Sequence, residues 1–215
     1  MWIKKAISIV MIFILGLSMP VMADEYKGVI IIDPGHGGMD GGATTKNGTV
    51  EKDINLAIGL KLRDRLQKEG YKVVMTREED KELGKKKVDD LSKRCKLKKE
   101  EKCDAFISIH QNKFSQESCY GSQVWYANNS KSEKIANYIQ DSLKEKVDES
   151  NKRLAKPAKQ QYKILRDGYD GACVIVECGF ISNNEEEKKL KSDEHQNKIV
   201  EGITCGINKY FDENK

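Results

Sequence analysis

Residues 29–38 read VIIIDPGHGG, an apolar run that stops at a turn and is followed by a histidine among glycines. Such a run, bounded by turn residues, predicts a buried strand of the kind found in parallel sheets. Pro34 and Gly35 end the strand, and the glycines leave room for another atom to approach the His36 imidazole. Open α/β sheets bind ligands beyond the carboxyl ends of their strands, which favours a functional histidine. A loop histidine without a role is an equal alternative on this stretch alone.

The sequence after this stretch alternates helical and strand patterns. Apolar residues at helical spacing predict a helix over residues 50–68, with Glu51 in its first turn, and residues 71–76 predict the next strand. Strand, helix and strand in this order imply a parallel crossover. Further predicted strands cover residues 104–109, 121–126 and 172–176, with a short edge strand at 162–165, and further predicted helices cover 88–99, 132–147 and 192–211. We therefore predict an α/β fold: one domain with a mostly parallel central sheet flanked by helices on both faces.

Length and composition limit the classes of function. The chain has 215 residues, which suits a single domain with a substantial core. Its formal net charge is only +4, so we expect no nucleic-acid partner. No internal repeat or low-complexity segment divides the sequence.

The N-terminus has the pattern of an export signal. Two lysines precede a nearly unbroken apolar run over residues 6–17, and Ala23 ends a small-residue cleavage pattern. We therefore predict a signal peptide over residues 1–23 and a mature domain over residues 24–215, exported across the cytoplasmic membrane. An uncleaved membrane anchor is the alternative, but the apolar run is short for a full span, which favours cleavage. We expect no transmembrane span after cleavage.

The six cysteines of an exported chain could form disulfides. A chain of this length does not require them, and the sequence contains no CxxC spacing. Cys173 and Cys178 lie on opposite faces of one predicted strand, so they cannot pair with each other. We predict that most of the six are small buried apolar residues, and a metal or redox role for Cys178 is the alternative.

Polar residues stand at the ends of three predicted buried strands. They are His36, His110 and Glu177, and Glu51 opens the helix after the first strand. Carboxyl ends of parallel strands and starts of the following helices meet at one sheet edge, so these side chains can converge in one cleft. Two imidazoles and one carboxylate can bind zinc with a fourth position open to water, and a spare carboxylate can act as general base. Four unrelated capping residues are the alternative, and His195 is interpreted as an ordinary helix residue.

Five stretches resemble the zinc-dependent N-acetylmuramoyl-L-alanine amidases of bacterial cell walls. They are residues 33–38 (DPGHGG), 51–55 (EKDIN), 76–80 (TREED), 108–112 (SIHQN) and 177–183 (ECGFISN), in the family's order. The resemblance implies that His36, Glu51 and His110 bind a single Zn²⁺ and that Glu177 is catalytic. Asn112 is a candidate for orienting His110 or contacting the substrate, and a simple turn former is the alternative.

The resemblance also implies a substrate and a setting. The expected reaction is hydrolysis of the amide between N-acetylmuramic acid and the first L-alanine of the stem peptide in peptidoglycan. A bare exported catalytic domain most resembles the sporulation amidases that prepare cortex peptidoglycan for germination. A vegetative autolysin for cell separation is one alternative, and a non-catalytic peptidoglycan-binding scaffold is another. Candidate partners are peptidoglycan and either an accessory exported protein or a cortex deacetylase that acts on the product.

Overall fold

The computed structural model describes residues 26–213 of the chain. The predicted signal peptide and its cleavage site at Ala23 lie outside this range. Within residues 26–213, no helix combines the length and the apolar character that crossing a bilayer requires.

Six strands form one sheet in the order β2-β1-β3-β6-β4-β5. In chain order they are β1 (Val29–Pro34), β2 (Lys72–Met75), β3 (Ala105–Asn112), β4 (Gln123–Tyr126), β5 (Lys156–Pro157) and β6 (Ala172–Phe180). β1 pairs in parallel with β2 and β3, and β3 pairs in parallel with β6. β4 runs antiparallel to β6 and parallel to β5. The prediction of a mostly parallel sheet is confirmed.

Five α-helices and one 3₁₀ helix surround the sheet in the described part of the chain. They are α1 (Glu51–Lys68), α2 (Lys87–Glu101), α3 (Ser130–Lys146), the 3₁₀ helix Lys163–Leu165, α4 (Asn184–Leu190) and α5 (Asp193–Asp212). α1, α3 and α5 cover the larger apolar core on one face of the sheet. α2 and the 3₁₀ helix contribute to the smaller core on the other face. Helices on both faces explain why the central strands are apolar on both sides.

The isoleucine run of β1 illustrates this arrangement. Ile30 and Ile32 point into the larger core and Ile31 into the smaller one, because successive strand side chains alternate in direction. All three side chains are fully buried. Burial of each contributes about 1.5–3 kcal/mol to the free energy of unfolding.

The predicted edge strand at residues 162–165 is wrong. Ile164 and Leu165 lie in the 3₁₀ helix, and both are buried in the smaller core. Two neighbouring residues of a strand would face opposite sides of the sheet, whereas a tight helical turn can direct both toward one core. The edge strand is instead Lys156–Pro157, which pairs with Trp125 and Tyr126.

All six cysteines have free thiols. Four of them are buried, which confirms the prediction that most are core residues; they are Cys95, Cys103, Cys173 and Cys178. Cys173 and Cys178 belong to the two opposite cores, as their positions in β6 require. Burial raises the pKa of the Cys178 thiol, so this side chain stays protonated at neutral pH.

Candidate active site

A cleft of about 720 Å³ lies at the carboxyl edge of the parallel strands. Its lining includes all five residues that the sequence indicates as site residues: His36, Glu51, His110, Asn112 and Glu177. His195 belongs to α5 and is not part of this lining. The structure therefore brings together side chains that are up to 141 positions apart in the sequence.

His36 follows β1 in an unusual backbone conformation. Its φ angle is +62°, in the left-handed region that a histidine seldom adopts. The preceding residue must be glycine, because a Cβ atom at Gly35 would lie 2.2 Å from the His110 ring. The absence of that Cβ allows the loop to bring the two imidazoles within 4.9 Å between ring centroids.

His110 and Glu177 lie inside strands rather than after their ends. β3 and β6 continue beyond their predicted limits because their backbone pairing extends to the register His110 with Glu177. Residues paired on neighbouring strands project to the same face of the sheet. The pairing therefore places the second histidine beside the second carboxylate.

Glu51 is the first residue of α1 and lies between the two histidines. Its Oε1 atom is 3.0 Å from Nδ1 of His110 and 3.3 Å from Nε2 of His36. The backbone N–H of Ala43 donates to Oε2 over 2.8 Å, and that of Gln111 donates to Oε1 over 3.1 Å. One potential ligand atom from each of Glu51, His36 and His110 lies within 4.8 Å of the other two, so the three residues could hold a metal ion.

The charges of this cluster suit a cation. Burial by itself raises the pKa of Glu51, but hydrogen bonds and charge interactions with His110 and His36 outweigh burial and lower it far below its usual value. Glu51 is therefore ionised at neutral pH. Two imidazole nitrogens and one carboxylate oxygen form a donor set typical of catalytic metal sites with an open position.

Asp40 is a residue of this site that the sequence did not indicate. Its Oδ2 atom lies 3.0 Å from Nδ1 of His36, on the ring edge away from Glu51. Burial by itself lowers the pKa of His36, but Glu51 and Asp40 outweigh burial and raise it. A carboxylate behind a ligating histidine orients the ring and strengthens it as a ligand. Asp40 lies four positions after His36 in the sequence, a spacing that does not by itself predict this contact.

Glu177 has a different environment from that of Glu51. Glu177 is 8% exposed, and its buried Oε2 atom has no hydrogen-bond partner among residues 26–213. Burial raises the pKa of Glu177 to about 7 and outweighs the opposing charge of His110; Glu51 adds a smaller upward effect and His36 a still smaller downward one. A carboxyl group with this pKa can accept and release a proton near neutral pH, as a general base requires.

Asn112, the last of the predicted site residues, lies at the end of β3. It lines the cleft, and its backbone carbonyl accepts a hydrogen bond from the N–H of Ile181 over 2.8 Å. Within the described range, no side-chain hydrogen bond joins Asn112 to His110. A role in contacting the substrate stays a prediction.

Three buried charged residues beside the cleft were not among the predicted site residues, although two of them lie in stretches that carry the family resemblance. They are Asp33, Arg77 and Arg94. Asp33 ends an otherwise apolar run, and this position was a signal for a buried, partnered carboxylate. No spacing pattern indicated that the two arginines approach the His36 loop, because they belong to other segments of the chain.

The fold and the cleft together define a class of protein. A mostly parallel α/β sheet carries a His–Glu–His cluster and a separate protonatable carboxylate at its carboxyl edge. This arrangement is typical of metal-dependent hydrolases.

The chain belongs to the N-acetylmuramoyl-L-alanine amidase family, whose model matches residues 30–209. Over 194 residues it is 37% identical to the germination-specific N-acetylmuramoyl-L-alanine amidase of Bacillus subtilis, covering 86% of this chain and 80% of that protein. It is 32% identical to the amidase AmiC of Escherichia coli, over 85% of this chain and 52% of AmiC. The predicted family resemblance is confirmed, and the chain is an enzyme of this amidase class.

Solved structures agree with this assignment. The CwlD amidase from Clostridioides difficile, determined in complex with the GerS lipoprotein, matches with a TM-score of 0.82 and 38% identity. The match covers 86% of this chain and 99% of that one. The amidase AmiC2 of Nostoc punctiforme matches with a TM-score of 0.77 and 30% identity, over 86% of this chain and 98% of that one.

Proposed function

We propose that this chain is a zinc-dependent amidase that hydrolyses the amide between N-acetylmuramic acid and L-alanine in peptidoglycan. His36, Glu51 and His110 are the zinc ligands in this proposal, and Glu177 is the general base. One observation carries it. The Glu177 carboxyl group, whose buried Oε2 has no hydrogen-bond partner in the described part of the chain and whose pKa is about 7, shares a cleft with a His–Glu–His donor cluster in which Glu51 is ionised.

The donor set supports zinc in particular. Zinc binds imidazole nitrogen and carboxylate oxygen, and catalytic zinc sites use three protein ligands with an open fourth position. Backbone N–H groups hold both oxygens of Glu51 in place, as the ligands of a preformed site require. Bound zinc would polarise the scissile carbonyl and increase the acidity of a water molecule.

Glu177 carries out the proton transfers in this proposal. Its carboxylate accepts a proton from the attacking water and then donates that proton to the amino group of the departing L-alanine. The pKa of about 7 suits both steps, because neither protonation state is strongly favoured at neutral pH. Asn112, further along the same wall of the cleft, contributes an amide group that can hydrogen-bond the substrate.

The relatives support a role in spore cortex maturation before germination. The Bacillus subtilis relative is germination-specific by name, and the solved CwlD structure contains a lipoprotein partner. We therefore infer export to the cell wall or the space between the spore membranes, in agreement with the signal-peptide pattern of residues 1–23. An accessory exported protein and a cortex deacetylase acting on the product are the partners that this role implies.

A vegetative autolysin is the second candidate. A probable cell wall amidase, LytH of Staphylococcus epidermidis, is 32% identical over 85% of this chain and 58% of its own length. The chemistry would be the same in both settings. Deletion of the gene distinguishes them, since a germination defect supports the spore role and chained cells support the vegetative one.

The chemistry is tested by digesting defined muropeptides with the purified mature protein. We expect about one zinc per chain, release of free stem peptides, loss of this activity with a chelator and its recovery with added zinc. His110→Ala should abolish zinc binding, and His195→Ala is the matched control because His195 lies outside the cleft. Cleaved glycan strands, or turnover that no chelator affects, would contradict the proposal.

A further inference from the structure

Two buried arginines lie behind the loop that carries His36. Arg77 follows β2 and is 1% exposed, and Arg94 lies in α2 and is 3% exposed. Both guanidinium groups point at backbone carbonyls of the segment between β1 and His36. Five N–H donors in a rigid plane allow one arginine to hold several acceptors at fixed positions.

Arg77 joins two of the three segments that carry the metal-site residues, those of His36 and Glu51. Its Nε donates to the carbonyl of Pro34 over 2.9 Å. Its Nη2 donates to the carbonyl of Gly35 over 3.0 Å and to that of Lys52 over 2.8 Å. Gly35 directly precedes His36, and Lys52 directly follows Glu51. A single amino group therefore bridges the chain positions next to two of the three ligands.

Arg94 holds the same loop from the other side. Its Nη2 donates to the carbonyl of His36 over 2.8 Å, and its Nη1 donates to that of Pro34 over 3.1 Å. Nη1 is also 2.5 Å from Oδ1 of Asp33, so the charge of this arginine is paired inside the protein. Asp33 belongs to β1, and the sheet thereby anchors the contact.

The backbone of His36 needs such restraint. A φ of +62° is disfavoured for a residue with a side chain, and such conformations persist only where the surrounding structure enforces them. The arginines bind three successive carbonyls, those of Pro34, Gly35 and His36. They thus fix the peptide planes on both sides of the disfavoured residue.

We propose that Arg77 and Arg94 are positioning residues that set the distance between His36 and Glu51 and thereby the zinc affinity of the site. The inference rests on the proposed function, because it concerns the same metal site. A lysine at position 77 would keep the charge, but its single ammonium group lacks the planar fork that binds Pro34, Gly35 and Lys52 together.

Lys98 provides a matched control, because it is a buried cation that stabilises the fold without contacting the loop of His36. It lies one turn after Arg94 on α2 and is fully buried. Its Nζ also donates to a carbonyl, that of Ile164 over 2.6 Å, and pairs with Asp167 over 2.9 Å. These contacts hold the 3₁₀ helix and its neighbouring loop rather than the loop of His36.

The experiment measures zinc dissociation constants by competition with a chromophoric chelator. The proteins are wild type, Arg77→Lys, Arg94→Lys and Lys98→Met, compared at a temperature where circular dichroism shows each metal-free protein folded. We expect the dissociation constant to rise about 10–100-fold in both arginine variants. Lys98→Met should lower the melting temperature of the metal-free protein and leave the dissociation constant within about twofold.

The outcomes separate the two hypotheses. Arginine variants that lose thermal stability but bind zinc as wild type does would overturn the positioning role. A wild-type protein without zinc affinity would instead overturn the proposed function, and the positioning role with it. If Arg77→Lys does not fold, Arg77→Gln replaces it. Arg94→Lys tests the same role independently, because it keeps a cation beside Asp33.

Discussion

Glu51 and Glu177 are two carboxyl groups of one cleft with nearly equal burial, at 4% and 8% exposure. Their pKa values nevertheless shift in opposite directions from the ordinary value of a glutamate side chain. The pKa of Glu51 is lowered, because two imidazoles outweigh the effect of its burial. The pKa of Glu177 is raised to about 7, chiefly by burial. The comparison shows that the neighbours of a carboxylate, and not its depth, determine whether it suits a cation or a proton.

Tertiary contacts explain the difference in neighbours. Glu51 lies between two histidines, and its carboxylate accepts hydrogen bonds from the backbone N–H of Ala43 and from that of Gln111, where the register of β3 shifts. Glu177 lies within a central strand that is paired on both sides, with β3 and with β4. The nearby backbone N–H groups of such a strand are engaged in the ladder, and no donor from the residues that the structure describes reaches the buried Oε2 of Glu177.

The largest expected effects on kcat and zinc affinity come from replacing Glu177 or Glu51 by glutamine, which removes the carboxylate charge and keeps the shape of the side chain. Glu177→Gln should lower kcat by about 10²–10⁴-fold, because the general base is lost, while the zinc dissociation constant stays near that of wild type. Glu51→Gln should instead weaken zinc binding by at least about 100-fold, since a ligand is altered directly. Muropeptide hydrolysis and chelator competition measure the two effects.

The assigned roles of Glu51 and Glu177 would be contradicted if Glu177→Gln weakened zinc binding and Glu51→Gln lowered only kcat. Retained turnover in Glu177→Gln would reject its role as base. Unchanged zinc affinity in Glu51→Gln would remove it from the ligand set. Glu194→Gln is a suitable control, because this exposed glutamate lies on α5 outside the cleft and pairs with Lys198 on the surface.

A smaller effect concerns the stability of the metal-free protein. The pKa of Glu177 rises from 4.5 in the unfolded chain to about 7 in the folded protein, so the folded state binds the extra proton. Stability is therefore lost as the pH rises between these values, by up to about 3 kcal/mol. Glu177→Gln should raise the melting temperature at pH 8 and have little effect at pH 4.

Glu51 should behave in the opposite way. Its lowered pKa means that its ionised form stabilises the folded protein above the unfolded pKa of 4.5, and this contribution is lost as the pH falls below that value. Glu51→Gln should therefore lower the melting temperature at neutral pH. Thermal melts in a chelating buffer from pH 4 to pH 8 measure both variants. Parallel pH profiles for the two substitutions would contradict the opposite shifts.

The smallest expected effect is that of Asn112→Ala. Loss of one hydrogen bond to substrate, worth about 0.5–1.5 kcal/mol, should raise KM about 2- to 10-fold and leave the zinc dissociation constant unchanged. Weaker zinc binding would show that Asn112 orients His110 instead. Unchanged KM and zinc affinity would leave it as a turn residue. Steady-state kinetics on a soluble muropeptide, with Asn128→Ala outside the cleft as control, distinguish these results.

The parallel direction of the central strands and the edge of the sheet that carries the cleft followed from local sequence patterns, whereas the strand order came only from the structure. The apolar runs before Asp33, His110 and Glu177 predicted buried parallel strands, and parallel strands present their carboxyl ends at one edge. The run of Ile164 and Leu165 failed as a strand prediction, because two successive apolar residues fit a tight turn over one core as well as a buried strand.

The contacts by which Arg77, Arg94 and Asp40 position the site residues could not be predicted from sequence patterns. Arg77 and Arg94 act on backbone carbonyls, which every residue possesses, so no particular partner residue marks the contact in the sequence. Asp40 lies four positions after His36, but between them are glycines whose backbone direction cannot be inferred from their identity.

The sequence by itself determined the α/β fold and the set of polar residues at one sheet edge, because hydrophobic periodicity and the direction of parallel strands are local properties. Only the tertiary structure decided that Glu51 lies between the histidines and that the buried oxygen of Glu177 has no hydrogen-bond partner within residues 26–213. The physical reason is that proton and cation affinity depend on charges and donors within a few ångströms, and distant segments of the chain supply them.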